Sequence, residues 1–527
     1  MNRTEQTQVL IVGGALTGLS AAVFLAHRGV RVTLVERHPD LLMHPRLRGV
    51  TPRTVEVYAQ VGLEPAIRKE CFLGEDTPFV PVHADTLADE YVPVEEADEE
   101  FVDPRTYSPS TQASIDQDRL EILLRDRARE LGADIRYRTE VTAFEQDADG
   151  VTVTVRDHAD DADGTIRAAY VVAADGIRSG IRTTLGIESD GPGTLFNTIT
   201  AMVDADLTGA VRGRTFGIAY LQHPRPFTTM LPHDGSGKRW LFTTGYDARQ
   251  ETVADFTTER VTEMVREASG LPDADVSLRP QIPGTDVTVL AFPIGAQVAR
   301  SYRTGRVFLA GDAARTQPPT GGFGGSTGIQ DAHNLAWKLA AVLSGQAGPG
   351  LLDTYDAERR PYGALAMRQA FARFGDRMAD GAQTELLSYA AVTMGFRYAS
   401  AAVPGNHDTD PIPATELCAQ PGTRAPHRPT ADGGSTLDLY GETFVLLTGH
   451  NGSAWAAAAD ATGVEIRSYT LGTDINVEDG EQAHGIGADG AVLVRPDGFV
   501  AWRSETGADD PATVLGDVLR TILANQD

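Results

Sequence analysis

The chain has 527 residues, 41% apolar and 23% charged, which is ordinary for a globular protein but too long for one compact core, so two or three domains are expected. Its 46 basic against 73 acidic residues leave a net charge of −27, which argues against nucleic acid or an anionic membrane surface as a partner, since both are bound through basic patches. Cys71 and Cys418 are too few for a disulfide framework or a metal cluster, the histidines lack an H-E-x-x-H spacing, and no run of about 18 apolar residues could span a bilayer, so a cytoplasmic protein with no metal site is expected.

Gln8–Val12 is short, apolar and β-branched, as a buried strand is. Leu19–Arg28 reads as a helix stopped by Gly29, and Val30–Val35 as the next strand, which together make a βαβ unit. A proline-containing acidic stretch, about 76–110, precedes a helix over Asp118–Leu131, strands at Ile135–Tyr137 and Val151–Val155, a charged hairpin tip at Asp157–Asp163 and a buried strand at Tyr170–Ala174. From about 190 to 285, short strand-like runs such as Trp240–Thr244 predict an antiparallel sheet layer. Helices follow over Gly328–Leu343 and Tyr355–Arg377. The Pro-, Gly-, Asp- and Thr-rich 401–430 stretch predicts a linker, and 431–527 a small α/β module.

Three motifs carry chemistry. Between the first strand and helix, Val12-Gly13-Gly14-Ala15-Leu16-Thr17-Gly18 suits a turn that offers backbone N–H groups and a helix N-terminus to a pyrophosphate. Gly13 would make the turn and Gly18 the close helix–strand contact; Ala15 stands where the phosphate-approach glycine is usual. Glu36, at the end of the second strand and next to Arg37, is placed to accept ribose hydroxyls, a solvated surface acid being the alternative. The second motif is Asp175-Gly176 with Ser179 and Arg182, and the third is Gly311-Asp312 followed by Pro318-Pro319-Thr320-Gly321-Gly322.

In this order, the three resemble the flavoprotein aromatic hydroxylases of the p-hydroxybenzoate hydroxylase fold. The resemblance spans nearly the whole chain and is strongest to the aromatic polyketide subgroup, of the aklavinone hydroxylase and rifampicin monooxygenase type. It implies an α/β FAD-binding domain of Rossmann-like, glutathione-reductase type (1–75, 111–185 and 286–400), an α+β substrate domain built on an antiparallel sheet (76–110 and 186–285), and a C-terminal thioredoxin-like domain (431–527). The last of these lacks C-x-x-C, which excludes thiol redox chemistry and leaves a structural role or a contact in a homodimer.

The resemblance assigns tightly bound, non-covalent FAD to Gly13, Gly14, Ala15, Gly18, Glu36, Arg37, Arg46, Gln117, Asp175, Gly176, Gly311, Asp312, Pro319, Gly322, Gly325 and Ser326. Arg315 stands where histidine is frequent, and Gly325-Ser326 where Met-Asn is frequent. The implied reaction uses NADPH or NADH as a transient co-substrate and molecular oxygen, and hydroxylates a polycyclic aromatic polyketide through a flavin C4a-hydroperoxide in antibiotic biosynthesis. Arg377 aligns with a family arginine. Its charge could favour the substrate phenolate, a solvated helix arginine being the alternative reading. The competing readings are a Baeyer–Villiger, ring-opening or antibiotic-inactivating oxygenase, a flavin reductase or oxidase, and a non-catalytic FAD protein.

Overall fold

The computed structural model describes residues 4–42, 47–74, 77, 79–94, 102–233, 236–377 and 385–525, the side chains at 376 and 377 excepted. Strand Glu5–Val12 lies mid-sheet, parallel to Val32–Val35 on one side and to Ala162–Ala173 on the other. Strands buried on both faces read as continuous apolar runs, which is why Val9–Val12 shows no alternation. Strands Asp134–Arg136 and Val307–Leu309 extend this eight-stranded sheet on either side, and the Thr139–Gln146/Val151–Asp157 hairpin adds to it.

Helix α1 covers Leu16–His27, beginning earlier than the expected Leu19; Gly29 follows it at φ +73°. Helix α2 covers Gln117–Glu130. Helix α3, Phe323–Leu343, starts before the expected Gly328. Glycines are poor helix formers, so Gly324, Gly325 and Gly328 hide its first turns from pattern reading. Packing requires two of them: a Cβ on Gly325 would lie 2.1 Å from Leu47 Cδ1, and one on Gly328 2.5 Å from Thr17 Oγ1. Helix α4 covers Asp353–Arg377.

The second layer is a nine-stranded sheet centred on the long strand Ser189–Ala205. It departs from expectation in two ways. Ile218–Leu221 pairs in parallel with Pro81–Ala84, two segments far apart in the chain with no hairpin to impose antiparallel order. The sheet also runs past residue 285: Val289–Ala299 pairs with Ser189–Ala205 along its length and Arg315–Thr316 adds at the edge, satisfying backbone groups that would otherwise be orphaned.

In the C-terminal module the strand order is Ile466–Thr470, Phe444–Thr448, Ala491–Val494, Val500–Ser504. The first pair is parallel and the others antiparallel, the thioredoxin-like arrangement expected. Helices Ser453–Ala461 and Pro511–Leu523 share an apolar cluster with Trp337 of α3, so the module is packed onto the first layer.

The 401–430 segment is not the free linker its composition suggests. Thr423, Arg424 and Ala425 are buried, Gly422 N donates to Val500 O at 2.8 Å, and Arg424 Nε donates to Glu56 Oε2 at 2.9 Å. Its prolines and glycines shape a strap that satisfies its polar groups against both neighbours. Among the described residues no helix is long and apolar enough to cross a membrane.

Candidate active site

The C-terminal ends of strands Glu5–Val12, Val32–Val35, Ala162–Ala173 and Val307–Leu309 stand side by side: Gly13 N donates to Val35 O, Ala174 N to Val12 O and Ala310 N to Ala173 O. This edge of a parallel sheet is where ligands bind in such folds. Gly13 sits at φ +110°, and a Cβ there would lie 2.3 Å from Ala174 O; a Cβ on Gly18 would lie 1.9 Å from Gly13 O. Both positions therefore exclude side chains on steric grounds. Ala15 is the N-cap of α1 and gives it no side-chain cap.

Glu36 Oε2 accepts from Gly14 N at 2.7 Å and Oε1 from His38 N at 2.9 Å. A carboxylate has about four acceptor sites, so room remains for ribose hydroxyls. Arg37 is exposed beside it. Gln117 opens α2 and donates through Nε2 to Glu121 Oε1 at 2.7 Å; the same oxygen accepts Leu16 N at 2.9 Å. Glu121, 2% exposed, thus joins the starts of α1 and α2, a role the sequence reading missed although Gln117-x-x-x-Glu121 is the spacing of one helix face.

In the second motif Gly176 takes φ +80°, Asp175 Oδ2 accepts Ile181 N at 3.2 Å, and Asp175 Oδ1 is buried without a partner. Ser179 caps the following turn by accepting Arg182 N at 3.0 Å. Arg182 donates to Ala313 O at 2.7 Å, tying the second motif to the third.

In the third motif Gly311 takes φ +62°, and the next residue, Asp312, turns outward. The turn is held from beneath by Asp331, 0% exposed, also missed from sequence: its Oδ2 accepts Gly311 N at 3.1 Å and Arg315 Nη1 at 2.5 Å, its Oδ1 Arg359 Nε at 2.8 Å. Burial alone would lower the pKa of Arg315; the charge of Asp331 outweighs it and raises it. Arg315, in place of the frequent histidine, is therefore an internal cation paired with an anion that it shares with Arg359. Pro319 and Thr320 lead to Gly321 at φ +79° and Gly322 at φ +64°, and Thr320 Oγ1 donates to Ala370 O of α4 at 2.5 Å.

Ser326, 2% exposed, accepts Thr51 N at 3.1 Å, so its oxygen holds the loop before helix Pro52–Ala59. Gly325 serves the contact of α3 with Leu47. Arg46 and the Arg377 side chain lie outside the described residues. Gln317, which no motif pointed to, has both amide atoms buried and without a partner beside Gly324.

The glycine positions that admit no Cβ, and the unpaired Asp175 Oδ1 and Gln317 amide, fit a bound dinucleotide carrying a polar ring system. On the sheet side, Phe196 stacks on Phe227 at 5.4 Å and on Phe374 of α4 at 5.6 Å, one turn beyond the contact of Ala370 with the Gly-Gly loop. These stacked rings lie one helical turn from the residue of α4 that holds Thr320.

An FAD binding domain model matches residues 6–370, and an aromatic-ring hydroxylase C-terminal model matches 419–525. Tetracenomycin A2 monooxygenase-dioxygenase of Streptomyces glaucescens is 42% identical over 99% of this chain and 97% of its own. 4-Methyl-5-nitrocatechol 5-monooxygenase of a Burkholderia species is 41% identical over 98% of each. The crystal structure of aklavinone-11 hydroxylase in ternary complex with FAD and aklavinone superposes with a TM-score of 0.91 at 38% identity, covering 100% of both chains. This chain therefore belongs to the FAD-dependent aromatic-ring hydroxylases, monooxygenases that use molecular oxygen and a reduced nicotinamide.

Proposed function

We propose that this enzyme hydroxylates a polycyclic aromatic polyketide in antibiotic biosynthesis, with the nine-stranded sheet as its substrate domain and NADPH or NADH as reductant. The observation that carries the reading is full-length similarity to the enzymes named for tetracenomycin A2 and aklavinone. The need for a reduced nicotinamide is the reason to expect it in the cytoplasm. A single-ring nitrophenol is the second reading, favoured by the Burkholderia relative of almost equal identity.

Bound FAD, once reduced, supplies electrophilic oxygen drawn from dioxygen; the chain must supply the rest. Glu36, the Gly13–Gly18 turn and Asp312 would hold the nucleotide and ribityl parts. Gln317 and the positive end of α3 would face the flavin ring and stabilise negative charge there. The Phe196, Phe227 and Phe374 stack would hold a flat ring and keep water away.

Arg377, three residues after Phe374 at the end of α4, is the residue we assign to phenolate stabilisation. A guanidinium stays protonated and lowers the pKa of a nearby phenol by about one unit or more. Arg377→Ala should therefore cut kcat about tenfold at pH 7 and recover part of it at pH 9, while Arg377→Lys retains most of it. A pH-independent loss in the alanine variant would reject the role.

The reading is tested by NADPH and NADH consumption of the yellow protein with naphthacenequinones, angucyclinones and nitrocatechols, with products followed by mass. Consumption stimulated by a multi-ring phenol, with a gain of one oxygen, supports it. Stimulation by nitrocatechols alone supports the second reading, and consumption yielding only peroxide rejects both.

A further inference from the structure

Asp116 and Asp118 flank Gln117 at the start of α2, and both are buried, at 2% and 4% exposure. Facing them is His233, 3% exposed, at the end of strand Thr228–His233 in the nine-stranded sheet. Its Nε2 lies 3.4 Å from Asp116 Oδ2 and 3.6 Å from Asp118 Oδ1. Arg48 completes the cluster, pairing with Asp116 and donating to Pro232 O. Leu47, the residue before it, accepts Gln117 N at 3.1 Å through its carbonyl. The 47–48 loop, the first turn of α2 and a strand of the other layer thus converge on Gln117.

Two buried carboxylates at this separation must each be compensated, because an uncompensated buried charge costs several kcal/mol. Arg48 compensates one. His233, whose Nε2 faces both carboxylates, is placed to donate to the other. Burial alone would raise the carboxyl of Asp118; His233 and then Arg119 bring it below its ordinary value. Arg119 is exposed, and Arg239, the cross-strand partner of His233, is engaged by Asp204 at 2.9 Å. Asp234 lies outside the described residues. Ligand atoms of Asp116, Asp118 and His233 lie within 4.8 Å of one another, a spacing a divalent ion could use. The guanidinium on Asp116 already provides the charge such an ion would bring and would repel it.

We propose that His233 is a positioning residue for the cofactor: by balancing the second carboxylate it clamps the Gln117 turn between the 47–48 loop and the substrate sheet. It acts through Gln117 and rests on the assignment of that glutamine to the flavin, not on the identity of the substrate.

The test is FAD affinity of the apoprotein, read by quenching of flavin fluorescence. His233→Gln leaves two carboxylates against Arg48 and should weaken FAD binding about tenfold. His233→Gln combined with Asp118→Asn leaves one carboxylate against one guanidinium and should return affinity to within about threefold of wild type, a rescue that lost packing would not produce. If His233→Gln fails to fold, the double variant decides alone: near wild-type affinity supports the proposal and loss of binding overturns it. A single variant within about twofold of wild type, a double variant no better than the single, or a stoichiometric divalent ion in the purified protein would each overturn it. Gln117→Ala, measured alongside, should also weaken binding; unchanged affinity there removes the glutamine assignment and the proposal with it.

Discussion

Asp331→Ala should yield a colourless protein with a measurably lowered melting temperature. The carboxylate is wholly buried between Arg315 and Arg359 and also accepts the N–H of Gly311. Removing it leaves two buried guanidinium groups without their anion, a loss of about 3–5 kcal/mol. It also frees the turn that presents Asp312, so the effect reaches cofactor retention as well as stability. For a chain of 527 residues that loss corresponds to a drop in melting temperature of about 3–5 °C. Asp331→Asn keeps the shape and one acceptor but not the charge, and should fall between. The ratio of flavin to protein absorbance and a melting curve check both effects. A yellow alanine variant that melts like wild type would mean that the two arginines find compensation elsewhere.

Glu358→Ala should be comparably damaging, and in a pH-dependent way. Glu358 accepts from Lys338 Nζ at 2.7 Å, from Arg495 at 2.6 and 3.0 Å, from Asn334 at 2.7 Å and from Ser400 at 2.7 Å. Arg495 also holds Asp497, which accepts from Trp337 at 3.1 Å. Two acids and two bases thus close a neutral group where α3, α4 and the C-terminal module meet. Deleting one acid leaves a net positive charge in that interior, worth about 3–5 kcal/mol.

Burial would raise Glu358, but Arg495 and Lys338 overcome it and hold the carboxyl far below its ordinary 4.5; Asp497 is likewise held below 3.8. A depressed carboxyl stabilises the fold fully above its unfolded value and ceases to do so as pH falls through its folded one. This contribution should therefore hold down to about pH 4.5 and be lost as pH falls well below 4, so wild type should lose melting temperature over that lower range and Glu358→Ala, already without the carboxylate, should lose less. Equal losses would show that the acid sensitivity lies elsewhere.

Much of the cofactor side was legible from sequence because it is built from local backbone demands. Gly13, Gly176, Gly311, Gly321 and Gly322 all take positive φ, a conformation that glycine adopts freely and most residues do not. Alternation and apolar runs placed most strands within a few residues. The start of α3 was misread because Gly324, Gly325 and Gly328 weaken a helix locally, while their value lies in letting Leu47 and Thr17 approach. The 401–430 strap was misread because proline- and glycine-rich composition describes backbone shape, not whether side chains such as Arg424 find a buried partner such as Glu56.

Glu121 and Asp331 show the other limit. Each is one acid within an amphipathic or apolar helix, and each acts on a segment distant in the chain: Glu121 on Leu16, Asp331 on Gly311 and Arg359. No local pattern marks such a residue, since what makes it necessary is an orphaned N–H or a guanidinium brought beside it by folding. By itself the sequence determined the order of the three cofactor motifs, the parallel sheet that carries them and the family to which the chain belongs, because turns and strands are written in the conformational limits of neighbouring residues. Only the tertiary structure decided which buried charges balance one another, how the C-terminal module is locked to α3 and α4, and what holds the cofactor turns in place, because charge compensation and close packing depend on distances that the chain defines only once it has folded.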